Sequence, residues 1–97
     1  TLIPEYERED LMEMAMADNV AYLLKFRGDI ESQRFALIVV DPLRPVIMSS
    51  ERSFAEENNV WVRRVARVVL CNYQENAIFP EDGIALYVPQ SGERQCP

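Results

Sequence analysis

The run Phe35-Ala36-Leu37-Ile38-Val39-Val40 is apolar without interruption in a chain of 97 residues. A half-exposed antiparallel strand alternates apolar and polar side chains, whereas a strand that is apolar on both sides needs cover on both. Val46-Ile47-Met48 and Ile84 to Val88 also lack a polar face. A chain this short has few layers to spend on covering them. Two arrangements meet the demand. One helix can lie on each face, closing three layers within the monomer. Alternatively both helices share one face, and the other is buried against a twin subunit or a different protein.

The helices are read from periodicity. Leu11, Met12, Ala15, Met16, Val20, Leu23 and Leu24 recur at three- and four-residue steps, which predicts an amphipathic helix from Glu5 to about Phe26. Pro4 suits its first turn, Glu5, Glu7, Glu9 and Asp10 favour its positive end, and Gly28 is placed to end it. Val20 to Phe26 can also be read as a strand. A second helix is expected from about Glu51 to Tyr73, with Phe54, Trp61, Val62, Val65, Val68 and Val69 on one face. Ser49, Ser50 or Ser53 offers its N-cap, the last completing a capping box with Glu56. Asn58-Asn59 could break it and leave Val60 to Leu70 as a strand.

Phe35 to Val40 is β-branched and bounded by Asp41-Pro42, which fits a buried strand. Pro42 and Pro45 flank a reversal, so Val46-Ile47-Met48 is expected to return as its antiparallel partner. Ala77-Ile78-Phe79 leads through Pro80-Glu81-Asp82-Gly83, a turn signal, into a strand over Ile84 to Val88. The expected fold is α+β, two amphipathic helices packed on a small, mainly antiparallel sheet in the order α-β-β-α-β. Residues 1–89 form one domain and 90–97 a flexible C-terminal tail.

Composition excludes several functions. Hydrophobic residues make up 48% and charged residues 27%, as in ordinary globular domains. Ten basic residues stand against sixteen acidic ones, a net charge of −6, which disfavours nucleic acid and anionic membranes. No apolar run is long enough to span a bilayer. The chain opens at Thr1 without an initiator methionine, as in a processed chain, and shows no signal-peptide pattern. Cys71 and Cys96 are expected to be free thiols in a reducing cytoplasm, one lying in a helix and the other in the tail. The bias to nine arginines over one lysine suggests a bacterial or phage source.

Reactive chemistry is scarce. There is no histidine to act as a base near neutral pH, no glycine-rich phosphate loop and no metal-ligand spacing. The chain is therefore expected not to be an enzyme and to carry no cofactor or metal. What remains points to protein contacts. Met14 lies on the outer side of the first helix near Ala17 and Ala21, a small smooth ridge. Arg63, Arg64 and Arg67 form a basic cluster that could face an anionic partner or simply solvent. Leu37 and Val39 belong to the apolar strand.

The expected function is a small acidic, cytoplasmic regulatory protein, a homodimer, that occludes another protein's association surface. A concrete form is an inhibitor or anti-activator of a bacterial transcriptional regulator. Its contact residues are Met14, Ala17, Ala21, Leu37, Val39, Arg63 and Arg67, with Glu7, Asp10 and Asp18 steering a basic partner. The alternatives are a sensor binding an apolar small molecule between sheet and helices, and a structural subunit of a larger assembly.

Overall fold

The structure is a computed structural model that describes residues 6–49 and 54–97. Two helices, α1 (Arg8–Met16) and α2 (Val20–Glu31), precede a short strand β1 (Ile38–Val40). A continuous helical stretch follows: α3 (Ala55–Trp61), a π-helical turn (Val62–Ala66) and α4 (Arg67–Asn72). A hairpin, β2 (Tyr73–Phe79) and β3 (Ile84–Pro89), completes the fold. The sheet is antiparallel in the order β1-β3-β2. The α+β class and the antiparallel sheet are as expected; several elements fall elsewhere.

The single N-terminal helix is two. Asp18 takes a left-handed backbone at φ 53°, which short polar side chains tolerate better than most. Asn19 then restarts the helix, its side chain accepting a hydrogen bond from the Tyr22 amide at 3.1 Å. Val20 to Phe26 is helical, and Gly28 lies inside α2 instead of ending it. The chain turns out at Ser32 and Gln33, the latter at φ 53°. The helix start near Glu5 and the caps Ser50 and Ser53 lie outside the described residues.

The expected hairpin between Phe35–Val40 and Val46–Met48 does not form. β1 pairs with β3 instead, in the register Ile38 with Tyr87, Val39 with Leu86 and Val40 with Ala85. Two asparagine side chains on α3 take up the backbone of 46–48. The Met48 amide donates to Asn59 Oδ1 at 2.7 Å, and Asn59 Nδ2 donates to the Met48 carbonyl at 2.9 Å. Asn58 Nδ2 donates to the Val46 carbonyl at 2.8 Å. A strand partner is replaced by side-chain amides, so Asn58-Asn59 anchors a loop and does not break the helix.

The core lies between one sheet face and the helices. Ile38, Ala85, Tyr87 and Tyr73 from the sheet meet Phe26, Ile30, Trp61, Val65 and Val69 from the helices. Trp61, Val62, Val65 and Val69 are buried as the periodicity requires, but Phe54 is 78% exposed, ahead of α3. The two tyrosines buried under the sheet use their hydroxyls to hold the chain that enters and leaves β1. Tyr73 donates to the Phe35 carbonyl at 2.8 Å and accepts from the Phe35 amide at 3.1 Å. Tyr87 accepts from the Leu43 amide at 2.8 Å.

The cysteines are paired, which overturns the expectation of free thiols: Cys71 on α4 is bonded to Cys96. Their separation of 25 residues along the chain closes through the β2–β3 hairpin, which returns the C-terminus to α4. The segment 90–97 has no regular structure but is tied at several points. Gln90 Nε2 donates to the Leu70 carbonyl at 2.8 Å, and Arg94 donates to Asn72 Oδ1 at 2.6 Å.

Candidate functional site

The alternation along β3 sorts the sheet into two faces. Ala85 and Tyr87 are buried toward the helices, whereas Ile84, Leu86 and Val88 are only half-buried on the other side. Across that outer face Leu86 is opposite both Val39 and Ala77, and Ile84 is opposite Phe79. Val39 is 37% exposed and Phe79 45%. None of these side chains belongs to the buried core or to its packed fringe. Among the described residues no ionisable side chain pairs across this face, and Gln74 is opposite Val88. Leu37 is half-buried just before β1, and it and Val39 are the expected contact residues that reach this side.

The remaining expected contacts lie on the helical layer. Met14 is half-buried, and its sulfur accepts a hydrogen bond from Asn19 Nδ2 at 3.3 Å; Ala17 and Ala21 are exposed at the α1–α2 corner. Asp18, expected to steer a basic partner, is instead ion-paired with Arg64, which ties that corner to the long helix. A groove runs beside it between α2 and the π turn, lined by Val20, Leu23, Leu24 and Val68 with Arg27, Arg63 and Arg64. Val20 and Leu24 are 60% and 65% exposed. Arg27, Arg63 and Arg67 continue into a second depression that ends at Arg94 and the disulfide.

Five arginines thus line one side of an acidic molecule. Arg27 pairs with Glu31 at 3.2 Å, Arg64 with Asp18, and Arg94 with backbone and Asn72. Arg63 and Arg67, one turn apart and both exposed, have no ion-pair partner among the described residues. Sequence spacing reveals Arg63 and Arg67 as neighbours. Arg27 and Arg94 are distant in sequence and join them only through the fold.

A third feature is a pocket that opens to solvent at Arg8 and Asp41. A cavity of about 290 Å³ lies among α1, α2, β1 and the long helix, walled by Phe26, Ile30, Ile38, Trp61, Val65 and Val69. Arg8 and Asp41 stand on its lining, their Nε and Oδ1 2.8 Å apart, with the Arg8 guanidinium 5.0 Å from the centre of the Trp61 ring. Nothing in the periodicity marks Arg8 or Asp41 for this position.

The wall at Tyr6 is braced by a polar cluster. The Tyr6 hydroxyl donates to Asp29 Oδ2 at 2.5 Å and accepts from Lys25 Nζ at 2.9 Å. That hydroxyl, with Lys25 and Arg34 beside it, holds the Asp29 carboxyl below the usual carboxylate range. Burial, and then Asp29, push the Tyr6 phenol up. Burial also pushes up Tyr22, Tyr73 and Tyr87.

Among the described residues no group of His, Cys, Asp and Glu is placed to hold a metal ion, and no helix is long and apolar enough to cross a membrane. Comparison with family models, curated proteins and solved structures yields no match to this chain.

Proposed function

We propose that this chain is a regulatory protein-binding module that takes hold of an acidic partner in the groove between α2 and the long helix. The observation that carries this reading is the pairing of exposed Val20 and Leu24 with Arg63 and Arg67, which have no ion-pair partner among the described residues. Exposed apolar side chains supply contact area, and arginine presents a planar, multi-donor group to carboxylates. The groove's chemistry therefore selects an amphipathic segment carrying carboxylates beside apolar residues. By covering that segment the module occludes whatever the partner would otherwise assemble with, as an inhibitor or anti-activator does.

The outer sheet face supports a homodimer. Its cross-strand pairs among the described residues are apolar but for Gln74 and carry no charge to repel their own image, so the same patch on two copies can meet around a two-fold axis. The groove lies on the helical layer and stays open in such a dimer. The Cys71–Cys96 bond weighs against the reducing cytoplasm expected from the sequence, because such bonds persist in oxidising compartments.

Affinity capture from the source organism tests the groove. A retained acidic protein should be lost with the double variant Arg63→Glu/Arg67→Glu, lost again with Leu24→Asp, and captured in smaller amount when salt is raised during binding. Helical content measured by circular dichroism should not change. Retention of the same proteins by all three forms would end the proposal.

A further inference from the structure

We infer that the cavity bounded by α1, α2, β1 and the long helix is a binding site for a neutral, apolar small molecule. The inference is independent of the protein-binding groove, which lies on another side of α2. Its volume of about 290 Å³ is nearly twice the ~150 Å³ apolar cavity that accepts benzene. That space suits a fused ring or a chain of about eight carbons, at the small end of ligand pockets.

The walls are held from outside, so the space is not slack that the core could close. Tyr6 packs edge-on against Phe26, with centroids 5.1 Å apart, and its hydroxyl is fixed by Asp29 and Lys25. Leu43, on another wall, is fixed through its amide to the Tyr87 hydroxyl. Walls set by hydrogen bonds beyond the cavity make a preformed site, in which a ligand need not organise its own surroundings.

The charges define the ligand class. Arg8 is answered by Asp41 at 2.8 Å, and the other ionisable liner, Glu7, is anionic. An acidic head group would meet two carboxylates and a cation already engaged. A cationic head would meet the Arg8 guanidinium beside the Trp61 ring, and Asp41 is already engaged by that guanidinium. A neutral molecule meets neither difficulty, and a hydroxyl on it can exchange hydrogen bonds with Arg8 and Asp41.

Trp61 is the only tryptophan and lines the cavity, so its emission reports occupancy directly. The full chain is titrated with 1-octanol, octanoate and octylammonium, which share one tail and differ in head charge. The expected result is a saturable change with 1-octanol, at least tenfold weaker binding of both ions, and a melting temperature that rises with 1-octanol dose. Val65→Phe, which fills the cavity, should abolish the response; if that variant does not fold, Leu11→Phe fills it from α1. Leu86→Glu on the outer sheet face should bind as the wild type does. No saturable change with 1-octanol, tighter binding of either ion, an unchanged response in a folded cavity-filling variant, or loss of the response in folded Leu86→Glu would each overturn the assignment. The groove proposal is untouched by these results, since none of the variants alters Arg63, Arg67 or Leu24.

Discussion

All four tyrosines have their ionisation pushed up, in every case first by burial. A raised value means that the folded chain holds the phenolic proton more firmly than the unfolded chain does. The stabilisation this represents is complete below the ordinary phenol value, about 10, and is lost as pH rises through the raised values. Asp29 has the opposite sign: its carboxyl is lowered, so its contribution is present above the usual carboxylate range and fades in acid. With no histidine and both thiols bonded, no side chain has an ordinary titration in between. Urea midpoints followed across pH should be level from about pH 6 to pH 9 and fall steeply above about pH 10. A pronounced slope near pH 7 would contradict this. These roles were not legible beforehand, because the hydrogen-bond partners of the Tyr6, Tyr73 and Tyr87 hydroxyls are 19 to 44 residues away. Periodicity marks a tyrosine for the core but does not show what its oxygen meets there.

At the scale of elements, the amphipathic pattern located helical residues well and helix ends poorly. Apolar spacing continues straight through Asp18-Asn19 because both helices turn an apolar side to the same core. The break was written in those two polar residues, which are good at leaving a helix and restarting one. Gly28 drew the predicted end instead, yet it sits within the last turn of α2 with open space where a Cβ would lie. Gly28→Ala should therefore stabilise the chain by about 0.5–1 kcal/mol through helix propensity and a less flexible unfolded state, measured by chemical denaturation. Destabilisation would place that position outside a regular helix. The strand at 46–48 failed for a different reason. Its apolar residues suit a strand, but β3 takes the place beside β1, and Asn58 and Asn59 satisfy the vacated backbone. Pairing choice among similar apolar strands is a long-range matter that local composition does not decide.

For the whole molecule, the apolar run Phe35–Val40 supplies β1 over Ile38–Val40, and the helices cover the sheet face of Ile38, Ala85 and Tyr87 while Val39 and Phe79 stay partly exposed on the other. Of the seven contact residues expected from the sequence, Leu37 and Val39 fall with the open sheet, while Arg63 and Arg67 fall with the helical groove. Sedimentation equilibrium should show a dimer that Val39→Asp or Leu86→Glu converts to a folded monomer, without altering groove binding. A wild-type chain that stays monomeric at high concentration would remove the homodimer. Loss of folding in both variants would show instead that the outer face is covered within one copy.

The gathering of cations on one flank of a net anion has a consequence at long range. Arg63, Arg64, Arg67, Arg27 and Arg94 give the molecule a permanent dipole moment, so an approaching carboxylate-rich target exerts a torque before any atoms touch. Attachment should then be quick and blunted by added electrolyte, whereas the dwell time, set by greasy contact at Val20 and Leu24, should scarcely notice it.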